Sequence, residues 1–240
     1  MERERQENLN EARHRGPDLG VVSIVYTILF VAGLVVTAAM TRGSHFPSPL
    51  IAPDLAQAFF AKNGHAVGIA AFLQFGATVP LGIFTATVVS RLQFLGMNVA
   101  GVFITLLGGL AASMSSAISA LLQWTLVQPG ISSESVGTRI LHQLSFATGG
   151  VGFVVPFGLL VAGVSIIAWF TKMLPRWLVW LGLAVAMIAE LSSFSLVFTP
   201  AAYLLPAARF PGFVWIIATG SLLPRSRAEA QKSRLRHAAA

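Results

Sequence analysis

Six long apolar runs are the feature that most constrains how this chain can fold. A run of about 20 apolar residues, rising 1.5 Å per residue in a helix, crosses a hydrocarbon core about 30 Å thick. Only 10% of the 240 residues are charged, whereas soluble domains carry about 25%. This deficit excludes both a soluble globule and a disordered chain. The sequence therefore predicts an all-α, polytopic transmembrane bundle of six helices.

The apolar runs define the domain organisation. The predicted spans lie at about 20–40, 66–90, 95–127, 133–172, 177–198 and 203–223. They form one membrane domain, 20–223, between a polar tail at 1–19 and a basic tail at 224–240. The first run is longer than a signal-peptide core of about 7–15 residues, so we expect a retained helix. Pro206, Arg209 and Pro211 interrupt the apolar pattern of the last span.

The distribution of Lys and Arg predicts the orientation. With six spans, twelve of the sixteen basic residues fall on the side that holds both tails, Arg91, Lys172 and Arg176. Only Arg42, Lys62, Arg139 and Arg209 fall on the other side. Because basic residues are retained on the cytoplasmic side, we expect both termini in the cytoplasm and the chain in the inner (plasma) membrane.

The third and fourth runs are longer than a bilayer requires. About 31 to 33 residues make a helix of roughly 46–50 Å. Arg91 and Lys172 fix the inner ends of these runs. We therefore expect both helices to project on the outer side, with a kink at Pro156 in the fourth.

Glu190 is predicted as the principal polar residue of the membrane domain, because a carboxylate inside a span is costly and faces the bundle interior. We predict that Gly182, Ala186 and Ser193 share its face, because small residues at helical spacing mark helix contacts. Two interpretations stay open: a structural carboxyl group bonded across the interface, or a site for a proton, a cation or a ligand.

Further polar residues occupy the outer halves of other spans. Gln74, Ser116 and His142 have heights comparable to that of Glu190. Stripes of small residues are typical of helix packing, but the polar content is skewed outward. We therefore predict a polar cavity open to the outer side, lined by Gln74, Ser116 and His142, with Glu190 deepest.

The second half of the chain carries a family resemblance. A glycine-rich span with His142 leads through the turn Lys172-Met173-Leu174-Pro175-Arg176-Trp177-Leu178 into the next span, and a proline-rich loop precedes a last span with Trp215. In this layout, residues 20–223 resemble an uncharacterised family of six-span bacterial membrane proteins, a domain of unknown function. The resemblance implies the six-span fold and no activity.

No pattern in the sequence predicts catalysis or a cofactor. There is no phosphate loop, nucleophile elbow or HExxH motif, and the histidines lack metal-site spacing. Cysteine is absent, which removes thiolate ligands and thiol nucleophiles. The basic residues have no accompanying aromatic module, so nucleic acid is not expected as a partner.

Three functions remain open at this point. The first is binding of a small or lipid-like ligand in the outer cavity, and the second is an accessory subunit that packs against another membrane protein. The third is a membrane enzyme acting on a lipid-like substrate. The expected partners are the lipid bilayer, such a ligand or protein, and anionic lipid at the basic C-terminal tail.

Overall fold

The computed structural model describes residues 12–41, 47–49, 55–131 and 134–238, and these residues form an α-helical bundle. Six of its helices are long and apolar enough to cross a membrane, which confirms the predicted six-span bundle. The only extended pairing among the described residues is an isolated bridge between Arg13 and Ser226.

The first three spans are single helices in sequence order. They are α1 (Leu19–Met40), α2 (Leu55–Phe94) and α3 (Ala100–Leu126). The Asp18 carboxylate caps α1 by accepting hydrogen bonds from the backbone N–H groups of Gly20 and Val21. Helix α2 is bent at Asn63, whose backbone leaves the helical region at φ −111° and ψ 19°. Its first turns pack Phe59 and Phe60 into a small apolar cluster with Val67 and Leu126.

The fourth span consists of two helices, α4 (Ser135–Gly149) and α5 (Val151–Thr171), which meet at Gly150. The backbone of Gly150 has φ −83° and ψ −105°, so the chain breaks there rather than at Pro156, which lies within α5. The predicted overlong third and fourth helices are not confirmed. Helix α3 has 27 residues, and the fourth run is divided into segments of 15 and 21 residues. Helix α2 covers 40 residues, but the kink at Asn63 divides it into two helical parts.

The last two spans are α6 (Arg176–Leu191) and α7 (Leu204–Leu222). Two short 3₁₀ turns, Ser192–Leu196 and Thr199–Tyr203, connect them. The sixth span is thus helical despite the interruptions in its apolar pattern, and Pro211 lies inside it. A final polar helix, α8 (Arg227–Ala238), follows the span.

The core lies at the centre of the bundle and is built mainly from aromatic and branched side chains. The largest fully buried ones include Trp215, Tyr26, Phe84, Phe153 and Phe157. Glycines bring helices α3 and α5 close together. A methyl group on Gly108 would lie 2.5 Å from the backbone carbonyl oxygen of Pro156 and from the backbone nitrogen of Leu160. Small residues on α3 therefore set the separation of the third and fourth spans.

Both ends of the described chain meet at one end of the bundle. Asp18 forms an ion pair with Arg225, and Arg13 forms another with Glu229. The backbone N–H of His14 donates to the carbonyl of Arg225 over 2.8 Å. We call these five residues the terminal clasp.

The turns between α2 and α3 and between α5 and α6 lie at the same end as the terminal clasp. His14 contacts Ser90 over 2.9 Å, and Arg227 donates to the carbonyl of Phe94 over 3.2 Å. The hydroxyl of Ser233 donates to the carbonyl of Met173 over 3.1 Å. The segments that the sequence assigned to one basic side are thus gathered at one end.

Candidate functional site

A cavity of about 710 Å³ occupies the end of the bundle away from the terminal clasp. Its walls come from α1, α2, α3, α4, the start of α7 and the segment 47–49. Apolar side chains such as Phe30, Leu34 and Leu205 make up much of the lining, and hydroxyl and amide groups make up the rest. Ligand pockets are typically about 300–1,000 Å³ and combine apolar walls with a few polar groups. The cavity has the size and composition of a small-molecule site.

Three of the four residues predicted to form a site line this cavity. They are Gln74 on α2, Ser116 on α3 and His142 on α4. Ser116 and His142 are buried, and Gln74 is half-buried. Gln74, Ser116 and His142, which have comparable heights along their spans, thus line one space, and Arg209 of α7 lines it as well.

Glu190 lies apart from the cavity, so the expectation that it would be the deepest lining residue is wrong. Its side chain is exposed near the C-terminal end of α6. Successive residues of an α-helix are rotated by about 100°, so Glu190 lies about 80° around the helix from Gly182 rather than directly above it. The buried stripe instead runs through Gly182, Val185 and Ala189.

His142 is held by contacts on two sides. The ring of Phe60 meets the imidazole edge to face, with 5.1 Å between the ring centroids. His142 also hydrogen bonds to the backbone carbonyl of Pro47. The sequence placed this histidine at or beyond the outer interface. The structure shows that this histidine is buried against α2, because α2 extends beyond its bend at Asn63 and covers α4.

Two pairs of polar residues join the helices around the cavity. The Ser119 hydroxyl on α3 donates to the carbonyl of Ser145 on α4 over 2.8 Å. The Gln123 amide on α3 donates to the side-chain oxygen of Gln74 on α2 over 3.4 Å. These bonds fix the relative positions of α2, α3 and α4, so the cavity has a defined shape.

Arg209 is the functional candidate that the sequence analysis missed. It lies in α7, lines the cavity and donates a hydrogen bond to the carbonyl of Gly149. Its guanidinium carbon lies 5.2 Å from the ring centroid of Phe30 and 4.6 Å from that of Phe153. The sequence counted Arg209 among the outer loop charges, because the prolines around it resemble a loop.

The broken fourth span explains why Gly149 accepts this bond. In an unbroken helix, the N–H of Phe153 would donate to the carbonyl of Gly149. Here the N–H groups of Phe153 and Val154 both donate to the carbonyl of Gly150. The Gly149 carbonyl is therefore released, and Arg209 supplies its donor.

The cavity carries a positive charge without a negative counterpart within the described ranges. None of the carboxylates in those ranges is a lining residue, and none forms an ion pair with Arg209. Among the same residues, no group of three His, Asp or Glu is close enough to hold a metal ion. The described chemistry is that of a cation, hydroxyls, amides and an imidazole within apolar walls.

Comparison of the chain with protein-family models, with curated proteins and with solved structures finds no match. The resemblance to a six-span bacterial family therefore stays a prediction.

Proposed function

We propose that this multi-pass membrane protein binds a small or lipid-like molecule in the cavity lined by Gln74, Ser116, His142 and Arg209. The proposal rests on the cavity of about 710 Å³, because polar side chains from five helices line it together. Bundles pack their interiors densely and leave few voids larger than a water molecule. A space of this size with convergent polar groups is what a binding site requires.

The orientation of the site follows from the charge distribution. The basic end, with the terminal clasp and α8, faces the cytoplasm by the bias in Lys and Arg. The cavity, at the opposite end, then opens to the outer side of the plasma membrane. The ligand would be taken from the outer leaflet or from the medium outside the cell.

The C-terminal helix supplies the proposed contact with anionic lipid. Arg225, Arg227, Lys232 and Arg234 are exposed at this end of the bundle. Basic residues close to a membrane surface attract anionic headgroups, by about 1 kcal/mol each. This contact would hold α8 at the inner surface and leave the cavity unaffected.

Mass spectrometry of small molecules that co-purify with the protein tests the proposed function. The full chain is compared with Ser116→Phe, which places a ring in the cavity, and with Met114→Phe, which places one on the exposed face of the same helix. We expect one molecule to co-purify with the full chain and with Met114→Phe, and to fall at least tenfold with Ser116→Phe. The same set of molecules at equal amounts in all three samples would refute the proposal.

The accessory-subunit and enzyme hypotheses stay predictions. The same purification addresses the first of them, because an obligate partner subunit would co-purify in a fixed ratio.

A further inference from the structure

The side chain of Arg209 indicates which class of molecule the cavity binds, and this inference rests on the proposed function. A guanidinium group has five N–H donors and keeps its charge at all physiological pH values. The structure gives one of these donors an acceptor, the carbonyl of Gly149. The Nε atom is buried without a hydrogen-bond partner among the described residues. The cation is therefore short of acceptors.

Two aromatic rings fix the orientation of this cation. Phe30 on α1 and Phe153 on α5 both lie within 5.2 Å of the guanidinium carbon, measured to the ring centroids. Such contacts stabilise the charge and restrict the rotation of the group. A guanidinium that is held in one orientation is suited to bind a planar carboxylate or a phosphate through two hydrogen bonds.

The charge has no described counterion in the span. A cation inside a membrane segment is costly unless an anion or a set of acceptors compensates it. None of the described carboxylates is a lining residue; they are Asp18, Glu134, Glu190 and Glu229. An anionic group on the ligand would supply the missing compensation.

The walls next to Arg209 indicate the rest of the ligand. Leu34, Phe146, Leu205 and Phe210 line the cavity together with Arg209 and present apolar surface. A purely inorganic anion would leave this surface exposed to water. A molecule with an anionic head and an apolar body would cover it and gain the hydrophobic contribution.

We infer that the cavity binds an amphiphilic anion, whose carboxylate or phosphate pairs with Arg209 and whose apolar body lies along the walls formed by α1, α4 and α7. The same chemistry could come from a free long-chain carboxylate or from the headgroup of an anionic lipid. The experiment below separates these two sources.

Binding of radiolabelled oleate to the detergent-solubilised full chain tests the inference, with methyl oleate as the neutral probe of equal length. We expect oleate to bind with a Kd at least tenfold lower than that of methyl oleate. Arg209→Gln should remove this difference, and Arg209→Lys should retain part of it. The matched control is Arg139→Gln, since Arg139 is exposed on α4 and does not line the cavity. Its affinities should equal those of the unaltered chain.

Competition against bound oleate identifies the source of the anion. Displacement by phosphatidylglycerol but not by phosphatidylcholine supports a lipid headgroup, and displacement by carboxylates alone supports a free long-chain carboxylate.

Three outcomes would count against the inference. Full displacement of oleate by inorganic phosphate at equal concentration would refute the need for an apolar body, because the charge alone would then be sufficient for binding. Equal affinities for oleate and methyl oleate in the unaltered chain overturn the inference even if Arg209→Gln does not fold. Co-purification of a neutral molecule in the cavity would support the proposed binding function but would refute the inference that the ligand is an anion.

Discussion

The guanidinium of Arg209 donates a hydrogen bond to the carbonyl of Gly149, the last residue of α4 before the fourth span breaks at Gly150. One side chain of the last span thus compensates a backbone group that the fourth span leaves without its helical donor. This bond connects the stability of the bundle with the charge in the cavity.

Replacement of Arg209 by Ala should lower the stability of the bundle. The change leaves the carbonyl of Gly149 without its donor, which costs about 1–3 kcal/mol for a buried group. For a domain of this size, 1 kcal/mol corresponds to about 2–4 °C in Tm. Thermal unfolding in detergent measures the effect. Arg139→Ala, at an exposed position, serves as the control and should leave Tm within about 2 °C of the unaltered value. An equal Tm for both variants would contradict a structural role for the bond.

Replacement of Gly108 by Ala should separate α3 from α5. The added methyl group would lie 2.5 Å from two backbone atoms of α5, which cannot move independently of the helix. Overpacking of this kind costs about 1–3 kcal/mol. At Gly76, the nearest atom to such a methyl group is a leucine methyl 4.0 Å away. Gly76→Ala should therefore be neutral or slightly stabilising, and a comparable loss of Tm in both variants would show that the close contact at Gly108 is not responsible.

Single introduced cysteines should show whether the cavity is accessible from outside the cell and on which side of the membrane the terminal clasp lies. The chain contains no natural cysteine that would interfere with the labelling. In intact cells, a membrane-impermeant maleimide should label Ser116→Cys and Gln74→Cys, since water must reach these positions for the thiolate to react. Ser165→Cys, which is fully buried in α5, is the control for a closed position. Ser233→Cys, at the terminal-clasp end, should react only after the cells are opened. Labelling of Ser233→Cys in intact cells would reverse the proposed orientation.

Acidification should weaken the terminal clasp in two steps. Burial, and secondarily the charge of Arg91, lower the pKa of His14. The backbone N–H of Val21 and the guanidinium of Arg225 lower the pKa of Asp18. In both cases the unfolded chain takes up its proton at higher pH than the folded one, so stability rises with pH. Tm should fall once the pH drops below about 6.5 and again below about 4, the unfolded values of His and Asp.

Two variants separate these steps. His14→Gln should reduce the decrease in Tm that begins below about pH 6.5 and should leave the decrease below about pH 4 unchanged. Asp18→Asn keeps a helix-capping side chain and removes the charge, so it should flatten only the step at lower pH. If both variants follow the same pH profile as the unaltered chain, the clasp does not control the acid response.

The helices were predictable because long apolar runs leave a chain few alternatives in a membrane. Gln74, Ser116 and His142 could be grouped from their heights along the spans, since a helix rises by a constant amount per residue. The direction in which a side chain points changes by about 100° with each residue, so it is predicted less accurately than the height along the helix. This is why the sequence placed Glu190 on the wrong face of α6. Arg209 was missed because its role depends on the break at Gly150, which involves two segments 60 residues apart in the sequence.

The terminal clasp has a mechanical consequence for the cavity at the opposite end. It joins the start of α1 to the end of α7, and Gly220 lies so close to the carbonyl of Leu19 that a methyl group would not fit between them. Any separation of the two helices at the cavity end that keeps these contacts would be a rotation about this joint. Helix α1 is about 33 Å long at 1.5 Å per residue, so a rotation of about 5° would move its far end by about 3 Å. With the clasp as the pivot, such a rotation would change the distance between Phe30 on α1 and Arg209 on α7, and with it the width of the cavity.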